Sequence, residues 1–571
     1  MPTSLEIAAA AQLKPIGAVA ESLGIPDQYV EPHGRHKAKI DLTILDDHYD
    51  RPRGKLILVT AITPTPLGEG KTTTTIGLGM ALNRVGKRAA VAIRQSSLGP
   101  VFGIKGGGAG GGYSQIVPLE ESILHLTGDI HAIGQAHNQL AALTDNAYYH
   151  GNHLNIDPER IQIRRVMDVN DRFLRDVTIG QGGKLNGKPR RTGFDITVAS
   201  ELMAILALSD GRTARDALLN LRARIGKMVV AFDTDGKPVT AEQVGGAGAA
   251  AVLMRETLKP TLMQTIENTP AFLHAGPFAN IAHGNSSILA DQVALRFADY
   301  VVTEAGFGMD IGGEKFFNIK CRASGLWPAA AVVVTTVRAL KSHTGKYQIT
   351  PGKPLPRGLT EENPDDVLLG GANLRKQIEN VRQFGVPVVV AINSYPDDRP
   401  SEIEAIRQIA SAAGAQGVAV SRVFAEGGRG GEELARLVVA AAEGSTSQPQ
   451  FLYPLDQPIK AKIASIATTI YGAADVSYSE AAEAQIASYE ANGFGDLPIC
   501  MAKTHLSLSH DADLKGAPTG FTLPIREVRA SVGAGFIYPL VGSMPTMPGL
   551  GSNPAAHSID IDSEGRTVGL F

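Results

Sequence analysis

TPTPLGEGKTTTTIG, residues 63–77, follows the apolar run LILVT at 56–60 and leads into a helical pattern. Strand, glycine-rich turn, lysine, hydroxyl and helix in that order is the arrangement of a phosphate-binding loop. Gly68 and Gly70 let the backbone turn its N–H groups toward phosphate oxygens. Lys71 adds a point charge, Thr72 offers a hydroxyl to a metal ion, and the helix start favours anions. The usual GxxxxGK[ST] pattern has a glycine where Thr65 stands, so Pro64 and Pro66 are expected to stiffen the entrance instead. The residues read as nucleotide-contacting are Thr65, Pro66, Leu67, Gly68, Glu69, Gly70, Lys71 and Thr72. Threonine is a mediocre helix former, up to ~0.7 kcal/mol worse than alanine. Four in a row therefore imply a use: Thr72 for the metal, Thr73 for an α-phosphate oxygen, Thr74 and Thr75 for packing.

Outward from this loop the pattern repeats. Leu56–Thr60, Ala89–Ile93, Tyr300–Thr303, Ala331–Thr335, Val386–Ile392 and Gly417–Val420 are short apolar runs, each followed by glycine or polar residues. Such runs predict strands buried on both faces, hence parallel sheets covered by helices. Asp233–Gly236 predicts a hairpin turn. The fold class is α/β, multidomain, with a P-loop-type nucleotide-binding domain. Pro- and charge-rich connectors at 350–366 and 444–458 suggest domains at 1–345, 346–455 and 456–571, the last α/β with long loops. The final fifty residues, punctuated by Gly and Pro, are expected to be irregular.

Composition narrows the class. Lys plus Arg number 54 against 57 Asp plus Glu, a net charge of -3, without the basic imbalance usual in a nucleic-acid binder. Cys321 and Cys500 are too few and too separated for a disulfide framework. No apolar run approaches a membrane span, and the first residues lack a signal-peptide pattern, so a cytoplasmic location is expected. Glycine supplies 63 of 571 residues, above the roughly 7% norm, and gathers beyond the strand ends.

In open parallel sheets ligands bind beyond the carboxyl ends of the strands. Arg94 stands at one such end, where it is either a surface ion pair or a planar clamp for carboxylate or phosphate. The loop from Gly103 to Tyr113, with Lys105, reads as a wrapping loop rather than a linker. Tyr395 and Phe424 each lie just past a strand and could sandwich a flat ring. His125, His131 and His137 recur every six residues, which suits no helical metal pair. Asp129 is either structural or an acid–base candidate.

TPLGEGKTTTTIGL, SLGPVFGIKGGGAGGGYSQ, LTGDIHAI, FANIAHGNSSILAD, TEAGFGMDIGGEKFFNIKCR and RASVGAGFIYPLVGSMPTMPGL together resemble the formate–tetrahydrofolate ligase family, nearly end to end. The resemblance implies ATP-dependent formylation of N10 of tetrahydrofolate, with Mg²⁺, a monovalent cation activator (K⁺ or NH₄⁺) and a cytosolic homotetramer. It matches Arg94 to the arginine that holds formyl phosphate, and Tyr395 and Phe424 to the aromatics around the pterin, commonly Phe and Trp. Lys71, Arg94 and Asp129 are the catalytic candidates. The sequence departs from the family at Gln95 and Ser96, where an acid and a proline are usual, at Thr344, and at Gly551–Ala555. A nucleotide-switch ATPase and another ATP-dependent carboxylate–amine ligase share the loop and the sheet. Dependence on folate separates them from this reading.

Overall fold

The computed structural model describes residues 2–104, 108–350, 354–445, 448–542 and 544–570. All six predicted strands form, and they are neighbours. In spatial order they are Ala89–Ile93, Tyr300–Glu304, Lys55–Ala61, Pro328–Thr335, Val388–Asn393 and Gly417–Ser421, every pair parallel. Side chains alternate between two cores, as the two-residue period of a strand requires. Leu56, Leu58, Val301, Val333 and Val390 enter the larger core. Ile57, Val59, Val302, Val332 and Val389 enter a second, closed by Leu78 and Ala81 of the Lys71–Arg84 helix and by Leu434 and Val438 of the Glu432–Glu443 helix. Burying each such side chain contributes about 1.5–3 kcal/mol, and burial on both faces explains why the runs lack polar alternation.

The sheet is not wholly parallel. Pro270–Leu273 runs parallel to Ala89–Ile93, but Thr261–Thr265 pairs antiparallel with it, and Ala38–Ile40 and Val30–Pro32 continue antiparallel to that edge. The connector near 350, of which 351–353 lie outside the described residues, does not separate two sheets. The strand at Pro328–Thr335 pairs directly with Val388–Asn393 across the expected boundary at 345. Asp233 and Gly236 close the expected turn between the antiparallel strands Val229–Asp233 and Pro238–Thr240.

The C-terminal stretch is more regular than its glycines suggested. Glu527–Ser531 and Phe536–Leu540 form an antiparallel hairpin, and Thr522–Ile525 pairs parallel with Asp475–Tyr478. Gly533 and Gly535 serve the turn, where Gly535 has φ 85°. Glu201, at the start of the Glu201–Leu208 helix, fastens that turn by accepting from Gly533 N–H at 2.7 Å.

Candidate active site

The loop after Lys55–Ala61 begins the site. Gly68 and Gly70 have φ 74° and 72°, the left-handed region that favours glycine. At Gly70 a second constraint applies: a Cβ there would lie 2.1 Å from Asn393 Nδ2. That amide donates to the Glu69 carbonyl at 3.1 Å, tying the loop to the end of a strand two positions along the sheet. The Glu69 side chain folds inward and accepts from Thr65 N–H at 2.7 Å and Thr65 Oγ1 at 2.9 Å. Thr65 thus closes the loop where a glycine was missing. Burial pushes the Glu69 carboxyl up to about 7, against these hydrogen bonds. Pro66 and Gly68 stand exposed and Leu67 is half-buried.

The threonine run divides by burial. Thr72 and Thr73 are half-buried, while Thr74 and Thr75 are fully buried. Thr75 Oγ1 donates back to the Lys71 carbonyl at 2.9 Å, and Thr73's carbonyl accepts from Ser114 Oγ at 2.6 Å.

Glu304, the last residue of its strand, organises the next layer. It accepts from Lys71 Nζ at 2.8 Å and from Thr72 Oγ1 at 2.8 Å. Burial alone would raise its carboxyl, but Lys71 and Arg94 together hold it below the ordinary value. Burial lowers Lys71 and Arg94 in turn, and Glu304 opposes both shifts. Arg94 leaves the end of the adjacent strand and donates through Nη1 to the Pro277 carbonyl at 3.0 Å. Its Nε is buried without a hydrogen bond among the described residues. Two cations and one carboxylate leave a positive charge unmatched, beside a cleft of about 160 Å³ lined by Thr72, Arg94, Gln95, Ser96, Phe278 and Glu304. Gln95 Oε1 is buried there with no partner among the described residues.

The glycine loop spans from this cleft to the aromatics. Lys105, Gly106 and Gly107 lie outside the described residues. Gly108 N–H donates to Ser96 Oγ at 2.9 Å, and Tyr113 N–H donates to the Phe424 carbonyl at 2.8 Å. The Phe424 ring lies against Gly112, where a Cβ would approach it to 3.0 Å, and is 43% exposed. Tyr395 and Phe424 follow strands registered at Asn393 and Ser421, so both leave the same carboxyl end of the sheet. Tyr395 is half-buried beneath the Arg338 guanidinium, 4.1 Å from its ring centre.

Asp129 joins neither group. Its carboxylate accepts from Lys39 Nζ at 2.7 and 2.6 Å, a pair only 4% and 3% exposed. Lys39 lies on Ala38–Ile40, four strands along from Tyr300–Glu304. At 4.7–4.9 Å per strand that is about 19 Å. Asp129, one of the catalytic candidates, is thus held in an ion pair with Lys39 and stands apart from the Glu304 group. His137 Nε2 bonds the Arg164 carbonyl, and among the described residues no group of three or more His, Cys, Asp or Glu is placed to hold a metal ion.

Sequence reasoning placed Glu304, Phe307 and Asn393 at strand ends facing the cleft but gave none of them a role. Phe307 has φ 59°, a strained conformation for a bulky residue, and stacks on His505 with ring centres 4.3 Å apart. Position at or just past a strand end was the available signal for all three.

A family profile described as "Formate--tetrahydrofolate ligase" matches residues 2–571. Proteins of that name from Chloroflexus aurantiacus and Herpetosiphon aurantiacus are 71% and 68% identical, each over the full length of both chains. "Formate--tetrahydrofolate ligase 3" of Rubrobacter xylanophilus is 58% identical, again over both full lengths. The chain belongs to the formate–tetrahydrofolate ligase family.

Proposed function

We propose that this ligase joins formate to N10 of tetrahydrofolate at the expense of ATP, through formyl phosphate, giving 10-formyltetrahydrofolate, ADP and phosphate. The observation that carries the reading is the placement of Lys71, Thr72 and Arg94 around Glu304, at the ends of three neighbouring parallel strands. The Thr65–Thr72 segment acts as the P-loop. A formate oxygen attacks the γ-phosphorus and ADP departs. N10 then attacks the formyl carbon, phosphate leaves, and the N10 proton is lost. Phosphoryl transfer asks the protein chiefly for positioning and charge stabilisation. Lys71 exchanges Glu304 for the triphosphate, and Arg94 orients formate and then holds the acyl phosphate. The glycine loop excludes water that would hydrolyse that intermediate. Tyr395 and Phe424 sandwich the pterin.

The Thr72 hydroxyl and Glu304 carboxylate are hard oxygen donors 2.8 Å apart, the ligand type Mg²⁺ takes alongside substrate phosphates. Bound there, the ion supplies charge neutralisation to the phosphates. A monovalent activator and a homotetramer enter on family likeness alone. A cytoplasmic location likewise enters on family likeness; among the described residues, no helix is long and apolar enough to cross a membrane.

The test is an assay with ATP, formate and tetrahydrofolate in Mg²⁺ and K⁺, following ADP and the acid-generated methenyl-folate absorbance. Product is expected only with all three substrates. Equal ADP release without formate and folate would overturn the ligase reading in favour of a nucleotide-switch ATPase.

A further inference from the structure

Thr63 opens the nucleotide loop between a strand and two prolines that have no N–H to donate, Pro64 and Pro66. Every polar atom of Thr63 is taken up by a side chain from elsewhere in the chain. Its N–H donates to Asn373 Oδ1 at 3.0 Å. Its carbonyl accepts from His343 Nε2 at 2.8 Å. Its hydroxyl oxygen accepts from Asn373 Nδ2 at 2.9 Å and from Gln377 Nε2 at 3.0 Å. Asn373 and Gln377 sit one turn apart on the Pro364–Arg382 helix, so one helix face supplies three of the four bonds.

The same two amides reach further. Asn373 Nδ2 also donates to the Gly516 carbonyl at 2.7 Å, and Gln377 Nε2 to Asp310 Oδ1 at 2.8 Å. The other Asp310 oxygen accepts from Lys503 Nζ at 3.1 Å. Asp310 lies six residues beyond Glu304, the carboxylate that holds Lys71 and Thr72. Thr63, Asp310, Asn373, Gln377 and Lys503 are each 0% exposed. An apolar core would serve stability as well as such a group. The hydrogen bonds among these buried groups instead favour one arrangement of the segments they join, here the start of the loop and the chain leaving Glu304, although His343 Nδ1 is buried without a partner among the described residues.

We propose that Thr63 is a positioning residue for nucleotide binding, clamped by Asn373, Gln377 and His343 so that the glycine loop meets ATP already formed. The inference rests on the reading of Thr65–Thr72 as the ATP loop. Burial keeps His343 neutral, its ring held down to about 4, so this clamp is insensitive to pH near neutrality.

The test compares Thr63→Val, Thr63→Ser and Lys71→Ala in the full-length enzyme, by direct ATP titration and by KM for each substrate. Thr63→Val keeps the shape and removes the shared acceptor. Its KM and Kd for ATP are expected to rise about tenfold, with KM for formate and tetrahydrofolate within twofold. Thr63→Ser should stay within twofold of wild type throughout. If Thr63→Val does not fold, Gln377→Met is measured in its place, with the same split expected. ATP affinity unchanged in Thr63→Val but lost in Lys71→Ala would overturn the clamp and leave the ATP-loop reading intact. ATP affinity unchanged in Lys71→Ala would overturn both. An equal rise in all three KM values would reduce the network to general stability and end the proposal.

Discussion

The two ends of the site are built on opposite plans. Around Glu304 the groups are buried or half-buried and largely preset: Lys71, Thr72 and the carboxylate sit at hydrogen-bond distance, with Arg94 beside them. Around Phe424 the ring is nearly half exposed and touches glycine backbone. One end is organised around charge before any substrate arrives, as electrostatic stabilisation of a transition state requires. The other offers faces that a flat molecule can complete. Chemistry should therefore fail at the first end and binding at the second, and each prediction below tests that division.

The largest effect belongs to Arg94. Its guanidinium is the one cation of the group not hydrogen-bonded to Glu304. Arg94→Ala should lower kcat for formyl transfer about 10³-fold, the upper range for loss of one preorganised donor, while the ATP dissociation constant changes less than fivefold. Near-wild-type turnover would break the comparison at its strongest point.

Next comes pH. The Glu69 carboxyl titrates at about 7 in the folded chain against 4.5 as its ordinary value. The folded state therefore holds this proton more tightly than the unfolded state. The stability it confers is complete below pH 4.5 and is lost as pH rises through about 7, a span of roughly 3 kcal/mol. Glu69→Gln cannot titrate, so the wild-type unfolding midpoint should fall relative to the variant's between pH 5 and 8. Parallel profiles would show that Glu69 is ionised throughout. No comparable change is expected for Phe424→Leu, since the aromatic end contributes no such group.

Glu304→Gln sharpens the first end from within. The amide keeps the shape but leaves Lys71 without its counter-charge and Thr72 with a weaker acceptor. A kcat loss of about 10²-fold, near 2.7 kcal/mol, is expected with KM for ATP no higher than in wild type. A KM rise at constant kcat would make Glu304 a binding group and blur the division.

Legibility in the sequence followed the same line. The six parallel strands could be read because burial on both faces leaves unbroken apolar runs, and the loop because glycine, lysine and threonine must fall in fixed order. Strand adjacency could not be read. Lys71 and Glu304 are 233 residues apart, so nothing local announces their pairing. Lys39 and Asp129 are 90 apart, which left Asp129 open between a structural and an acid–base reading. The C-terminal hairpin was hidden by glycines whose place in a turn shows only once the strands are paired. The aromatics were legible as types, but the half-exposure of Phe424 and the Arg338 cover on Tyr395 depend on folding.

The smallest expected effect separates those two aromatics. Phe424→Ala removes an open ring face, and a stacking contact is worth about 0.5–1.5 kcal/mol. KM for tetrahydrofolate should therefore rise up to about tenfold, with kcat within twofold and KM for ATP unchanged. Tyr395 differs, because Arg338 occupies one face of its ring and is itself bound to Asp397 at 2.6 and 2.8 Å. Only the opposite face of Tyr395 is left for a ligand. Tyr395→Phe keeps both faces and should bind folate as wild type does. Tyr395→Ala also strips Arg338 of its ring, so its KM effect should include a loss that Arg338→Gln reproduces in part. If Phe424→Ala instead lowered kcat and left KM alone, the open end would be taking part in the chemical step, and the contrast between a charged end for reaction and an aromatic end for binding would fail.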